Sequence, residues 1–128
     1  MMTTGKDTSA RIMIVDDEPM FVDMLGNFLQ TKGLTAERFH NPEKAMAAII
    51  AKNISLVLLD ILMPEINGLK LLKRIKNIAP SVRVIVVSAQ SDPEVARECL
   101  QLGASDYIAK PVDLEYFSFS VMAELLMA

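Results

Sequence analysis

The segment IMIVDD, Ile12–Asp17, runs from apolar residues into two carboxylates. Three later segments share this pattern, in which an apolar run ends on a polar residue capable of chemistry: Leu56–Leu59 before Asp60, Val84–Val87 before Ser88, and Tyr107–Ala109 before Lys110. Short β-branched runs followed by helical patterns predict buried parallel strands, and open parallel sheets collect functional side chains at the carboxyl ends of their strands. We therefore expect three carboxylates, a hydroxyl and an ammonium to converge on one crevice.

Strand and helix patterns alternate five times along the chain, without repeats or linkers. Proline at first helical positions and glycine just past helix ends supply the boundaries. The expected strands are Ile12–Asp16, Thr35–Phe39, Ser55–Leu59, Arg83–Ser88 and Asp106–Ala109. The expected helices are Pro19–Lys32, Pro42–Lys52, Leu69–Ile78, Pro93–Leu102 and a last one from Asp113 onward. This alternation predicts an α/β, doubly wound, five-stranded parallel sheet with helices on both faces, and it leaves the strand order open.

Composition narrows the class of protein. A chain of 128 residues with a net charge of −3 fits one domain and argues against a nucleic-acid binder, which needs clustered basic residues. The lone Cys99 excludes an internal disulfide and is interpreted as a small buried residue. No apolar stretch approaches the roughly 18 residues of a membrane helix. We expect a flexible tail over residues 1–10, a domain over residues 11–128, a cytoplasmic location, and no membrane partner.

Asp16, Asp17 and Asp60 are the candidate metal ligands. Three carboxylates within a few ångströms repel one another by roughly 4 kcal/mol per close pair, so they must protonate or bind a cation. Oxygen ligands of this kind suit Mg²⁺. An alternative for Asp17 is that it caps the helix beginning at Pro19. Asp60 has no such helix to cap, and a carboxylate can attack phosphorus, with Lys110 and Ser88 available to stabilise the transferred group.

The sequence resembles receiver domains of two-component response regulators from Arg11 to the C-terminus. The matching segments are Ile14–Pro19, Leu58–Pro64 through Gly68, Val87–Ala89 and Gly103–Pro111. The resemblance implies a flavodoxin-like sheet of order 2-1-3-4-5 and phosphorylation on Asp60. It further implies Mg²⁺ bound by Asp17, Asp60 and the backbone carbonyl of Leu62, with Asp16 assisting through water. Ser88 would hydrogen-bond the phosphoryl group, and Lys110 would pair with it.

The resemblance also suggests a cis Lys110–Pro111 bond and a switch made of Ser88 and Tyr107. Ser88 would move toward the phosphoryl group, and the ring of Tyr107 would fill the vacated space. The alternative for Tyr107 is a half-buried residue at the sheet edge. Two positions near Asp60 that vary in the family are Leu62 and Gln90. Leucine cannot orient a hydrolytic water, whereas Gln90 could, and we expect Leu62 to slow loss of the phosphate.

The last helix has apolar residues on most faces, which predicts that something covers it: another protomer, a downstream domain or a partner. A helix with a few exposed methionines is the alternative.

The leading functional prediction is a phosphoacceptor switch that receives its phosphoryl group from a histidine kinase or phosphotransfer protein and catalyses reactions only on itself. The alternative is a degenerate receiver that binds partners without phosphorylation. A third possibility is a haloacid-dehalogenase-type phosphatase, but such an enzyme would carry an aspartate at the position of Leu62. A flavin-binding module would need a phosphate-cradling loop where Asp16–Glu18 would repel phosphate.

Overall fold

The structure, a computed structural model, describes residues 11–64 and 66–127. The expected tail at residues 1–10 lies outside the described residues. Strands and helices alternate as the sequence predicts. The strands are β1 (Ile12–Val15), β2 (Ala36–Phe39), β3 (Leu56–Leu59), β4 (Arg83–Ser88) and β5 (Asp106–Ala109). The helices are α1 (Pro19–Thr31), α2 (Pro42–Lys52), α3 (Gly68–Ile78), α4 (Pro93–Gln101) and α5 (Leu114–Met127).

The elements differ from the expected bounds mostly by one residue at their ends. β1 stops at Val15, which leaves Asp16 in the loop, and β2 and β3 each begin one residue later than expected. α3 begins at Gly68, because the side chain of Asn67 accepts hydrogen bonds from the backbone N–H groups of Leu69 and Lys70. α1 ends one residue early, before Gly33, whose φ of 80° ends the helical path.

The five strands form one parallel sheet in the order β2-β1-β3-β4-β5. This is the order that the family resemblance implied. Every residue of β1 and β3 is buried, as is β4 after its first residue, so these central strands are apolar on both faces. One face packs against α2, α3 and α4, and the other packs against α1 and α5 through residues such as Leu25 and Phe117.

The outer strand β2 carries charged side chains that are all paired. Glu37 lies 2.9 Å from the ammonium of Lys52 and 3.5 Å from the guanidinium of Arg11. Arg38 reaches across to α1, where its guanidinium lies 3.1 Å from Asp23. These ion pairs join the sheet edge to the neighbouring segments.

Within residues 11–64 and 66–127, none of the helices has the length and apolarity needed to cross a lipid bilayer. The interpretation of Cys99 is confirmed, since its side chain is fully buried against the core on the side of α2, α3 and α4. The Lys110–Pro111 peptide bond is cis, as the resemblance suggested.

Candidate functional site

The parallel register places the predicted acidic residues side by side. Val15 pairs with Leu59, and the next residues along these two strands are Asp16 and Asp60. One carboxylate oxygen from each of Asp16, Asp17 and Asp60 lies within 4.8 Å of the other two. Asp16 and Asp60 are buried, with 2% and 4% of their surface exposed, whereas Asp17 reaches solvent. The predicted convergence of the three carboxylates is therefore present in the fold.

Backbone hydrogen bonds hold the two buried carboxylates in place. The N–H of Glu18 donates to Oδ1 of Asp16 over 2.9 Å, and the N–H of Leu62 donates to Oδ1 of Asp60 over 2.8 Å. Both bonds span two residues and therefore tie each side chain to the turn that follows its strand. The remaining oxygens are left to face the crevice.

Asp17 does not cap α1, so that alternative is wrong. The N-cap position of α1 is Glu18, and its side chain makes no capping hydrogen bond. Pro19 begins the helix, and its lack of an N–H reduces the need for a cap. Asp17 is thus an acidic side chain beside the other two carboxylates without a structural role at the helix start.

Lys110 brings its ammonium into the acidic cluster. Its Nζ lies 2.9 Å from Oδ2 of Asp16, 2.8 Å from Oε1 of Glu18 and 3.3 Å from Oδ2 of Asp60. The same nitrogen lies 4.0 Å from the ring centroid of Phe21. The register again explains the placement, because Ser88 pairs with Ala109 and Lys110 follows directly.

The pKa values of the charged groups in the cluster depend mainly on their burial and on the Lys110 ammonium. Burial lowers the pKa of Lys110, but hydrogen bonds to Glu18 and Asp16 and the charge of Asp60 outweigh it and hold the pKa above its usual value. Burial raises the pKa of Asp16, against the opposing effects of the Glu18 N–H and Lys110. Lys110 is therefore a permanent cation that faces more carboxylates than it can neutralise.

The donor set fits a divalent cation such as Mg²⁺. Asp16, Asp17 and Asp60 offer oxygen ligands at a shared point, and one ammonium cannot balance their charge together with that of Glu18. The residue expected to add a backbone carbonyl, Leu62, lies next to this point, since its N–H binds Asp60.

Ser88 and Tyr107 lie together on β4 and β5. The Ser88 side chain is fully buried, and its Oγ accepts a hydrogen bond of 3.2 Å from the N–H of Gln90. The hydroxyl of Tyr107 donates to the carbonyl oxygen of Gln90. Burial raises the pKa of Tyr107, although a hydrogen bond with Ser88 acts in the opposite direction. The phenol thus lies against Ser88 and the loop after β4.

The two family-variable positions differ in the polar groups that they can offer near the crevice. Leu62 has an exposed apolar side chain. The side-chain oxygen of Gln90 accepts a hydrogen bond of 3.1 Å from the N–H of Asp92 and so is held at the start of α4. Leu62 thus cannot orient water at Asp60, whereas the side-chain N–H₂ group of Gln90 is not used in the bond to Asp92.

Two contacts of the ammonium were absent from the sequence-based prediction. Glu18 and Phe21 both touch Lys110, from the loop before α1 and from its first turn. Glu18 follows Asp17 directly, but adjacency gives no indication of whether a side chain points toward the crevice or toward water. Only the path of the loop between β1 and α1 settles that direction.

The sheet order and the position of the acidic crevice at its carboxyl edge are those of a flavodoxin-like α/β protein with a candidate cation site. The family model described as "Response regulator receiver domain" matches residues 12–119. The chain therefore belongs to the response-regulator receiver family. Members of this family act with histidine kinases and downstream effectors, and they bind Mg²⁺ at an acidic cluster.

Two known relatives are much longer than this chain. It is 38% identical over 104 residues to the DNA-binding transcriptional regulator NtrC of Salmonella typhimurium, covering 81% of this chain and 22% of that protein. It is 32% identical over 110 residues to a cyclic di-GMP phosphodiesterase of Thermotoga maritima, covering 86% of this chain and 29% of that protein. The chain thus spans less than a third of either relative.

Among solved structures, a CheY-like response regulator receiver domain protein from Methanospirillum hungatei JF-1 is similar over nearly its whole length. The two share 28% identity with a TM-score of 0.85, over 91% of this chain and 94% of that one.

Proposed function

We propose that this receiver domain is a phosphoacceptor switch in which Asp60 takes a phosphoryl group from a histidine kinase or phosphotransfer protein. The observation that carries the proposal is the contact of one ammonium, that of Lys110, with the buried carboxylates of Asp16 and Asp60. An oxygen of Asp60 attacks phosphorus, the bond from phosphorus to the donor imidazole nitrogen breaks, and its electron pair returns to that nitrogen. This self-phosphorylation and the later loss of the same phosphate are the only reactions that we assign to the domain.

The residues around Asp60 have separable roles in this proposal. Lys110 pairs with the phosphoryl oxygens, and Ser88 donates a hydrogen bond to them from the neighbouring strand. Asp17, Asp60 and the carbonyl of Leu62 would hold Mg²⁺, with Asp16 assisting through water. Bound there, Mg²⁺ supplies positive charge against the oxygens of the transferred group.

The output of the switch runs through Ser88 and Tyr107. Because the phenol of Tyr107 already lies against Ser88, movement of the Ser88 hydroxyl toward a phosphoryl group changes the packing of the ring. Tyr107 bridges to the loop after β4 through the carbonyl of Gln90, so α4 and β5 respond together. The result is a population shift between two surface shapes.

The surface that meets a partner is the outer side of α5. Its inner side packs Phe117 and Val121 into the core, but five further large residues are exposed: Tyr116, Phe119, Met122, Leu126 and Met127. Exposed apolar area of this kind marks a protein contact. We propose that a second copy of the domain or a downstream effector covers it.

Phosphorylation is tested by incubating the protein with acetyl phosphate and Mg²⁺ and measuring its intact mass. We expect a gain of one phosphate that disappears with EDTA or in the Asp60→Asn variant. Asp23→Asn is the matched control, because Asp23 is an exposed aspartate on α1 that pairs with Arg38 outside the cluster. No gain under conditions that modify another receiver would favour the degenerate receiver, which binds partners without phosphate.

The α5 surface is tested by light scattering coupled to size-exclusion chromatography, with and without phosphorylation. We expect self-association that Phe119→Glu abolishes without loss of fold. A protein that stays monomeric at high concentration in both states would leave the effector as the remaining partner.

A further inference from the structure

The ammonium of Lys110 has all three of its N–H donors in use. Asp16, Glu18 and Asp60 each lie within 3.3 Å of Nζ, and the ring of Phe21 lies against it. A lysine ammonium has three donors and no more. The Asp60 oxygen on Lys110 is the one left free by the Leu62 N–H, and when it attacks phosphorus it gives up its place on the ammonium to a first phosphoryl oxygen. A second phosphoryl oxygen that binds Lys110 must therefore displace Asp16 or Glu18.

The three carboxylates differ in their freedom to move. Asp16 and Asp60 are buried, and each has its other oxygen fixed by a backbone N–H. The side chain of Glu18 is 64% exposed, and the hydrogen bond to Lys110 is what holds its carboxylate at the crevice. Rotation into water costs Glu18 little, because its charge is then fully hydrated.

Electrostatic repulsion also favours Glu18 as the carboxylate that leaves the Lys110 ammonium. The Glu18 and Asp60 oxygens bound to the same nitrogen lie no more than about 6 Å apart, so negative charge added at Asp60 repels Glu18 directly. Asp16 is closer to the centre of the cluster, but it cannot turn away without breaking its bond to the backbone N–H of Glu18.

We propose that Glu18 is a positioning residue that holds Lys110 in the unphosphorylated protein and must release it when a phosphoryl group on Asp60 binds Lys110 through two oxygens. Glu18 thus competes with the phosphoryl group for the same ammonium and opposes occupancy of the site. The inference rests on the proposed phosphoacceptor function of Asp60, but it concerns a residue outside the predicted site.

The probe for this competition is beryllium fluoride, in which a carboxylate oxygen donates an electron pair to beryllium and displaces a water or fluoride from it. Binding is followed by ¹⁹F NMR at saturating Mg²⁺, so that changes in metal affinity do not enter. We expect Glu18→Gln to bind the probe about threefold more tightly than the wild type. The variant lacks the exposed ion pair with Lys110 that the probe has to break, and pairs of this kind contribute little. The rate of phosphorylation by acetyl phosphate should rise by a similar factor.

Two further variants separate the effect of the Glu18–Lys110 hydrogen bond from the effect of the negative charge of Glu18. Glu18→Asp keeps the charge but is one methylene too short to hold Nζ, so we expect it also to bind the probe more tightly than the wild type. Glu98→Gln, on the exposed side of α4, makes the same charge change as Glu18→Gln and should leave binding unchanged. If Glu18→Asp behaves as the wild type, the effect is one of charge alone and the holding role is overturned.

Hydrogen exchange of the Lys110 ammonium, measured by NMR, reports directly on its hydrogen bonds. In ¹H–¹⁵N spectra of the metal-free protein, the Lys110 ammonium should exchange slowly with water, and Glu18→Gln should accelerate that exchange. Equal probe affinity in the wild type and both Glu18 variants would overturn this inference alone. Failure of the wild type to bind the probe, as for Asp60→Asn, would instead overturn the proposed function.

Discussion

Replacement of Asp17 by asparagine should stabilise the metal-free protein. Asp17 contributes negative charge to a cluster that already holds two buried carboxylates, and it does not cap α1. Asparagine has nearly the same shape but carries no charge. The variant therefore removes repulsion without removing a contact that the fold depends on.

The magnitude follows from the separations in the cluster. Two unit charges 4.8 Å apart repel by about 3.5 kcal/mol at an effective dielectric of 20, and by about 0.9 kcal/mol in bulk water. Asp17 reaches solvent, so each of its two repulsions lies toward the lower value, and Lys110 offsets part of both. We expect Asp17→Asn to raise the free energy of unfolding by about 1 to 2 kcal/mol in EDTA.

Urea denaturation followed by circular dichroism measures this change. The midpoint in EDTA should move upward with an unchanged slope, which identifies an effect on stability alone. Glu98→Gln is the control, since an exposed charge on α4 should change the free energy of unfolding by less than about 0.5 kcal/mol. A variant no more stable than the wild type in EDTA would refute the electrostatic account of the cluster.

Addition of Mg²⁺ should reverse the order of stability. The wild type gains about 2.7 kcal/mol when the free ion exceeds its dissociation constant a hundredfold, whereas a variant that has lost a ligand gains less at the same concentration. If Asp17→Asn and the wild type gain equally across a Mg²⁺ titration, Asp17 is not a ligand.

Three further results are expected. Phe117→Ala, which empties a fully buried position under α5, should lower the free energy of unfolding by about 3 to 5 kcal/mol in urea titrations, and a loss below 1 kcal/mol would contradict its place in the core. Burial raises the pKa of Tyr107 and the hydrogen bond to Asp106 raises that of Tyr116, so absorbance at high pH should show both phenols ionising above pH 10 in the folded protein. The native state keeps these protons longer than the unfolded state, so stability should fall as pH rises past 10; a phenol that titrates as it does in urea would contradict this. Leu62→Asn should shorten the lifetime of the phosphorylated protein severalfold in phosphate-release assays, because an amide can orient water where leucine cannot; an unchanged lifetime would refute that role.

The sequence was most informative where one physical rule controls the outcome. Apolar runs of strand length had to be buried on both sides, and their carboxyl ends had to share an edge. The meeting of Asp16, Asp60 and Lys110 therefore followed from pattern alone. Helix starts at Pro42 and Pro93 followed from local capping by the residues before them. Strand order came only through the family resemblance, since alternation fits several orders.

Contacts made by long, flexible side chains could not be predicted. Glu18 reaches Lys110, and Lys76 turns from its helix to the carbonyl oxygens of Pro80 and Val82, because of loop paths that no periodicity encodes. The start of α3 just after Asn67 did have a local signal, an asparagine before glycine, although the expected helix began one residue later, at Leu69.

The charged border strand β2 restricts how copies of this domain can meet. A further strand added beside it would have to strip water from Glu37 and Arg38 and disturb their ion pairs, which makes sheet extension costly. Association is thereby directed away from the β2 border, for example to helix surfaces. A contact between the same helix of two copies buries a finite area and is complete in a dimer. Each strand added to a sheet would instead expose a new border, so further copies could keep adding.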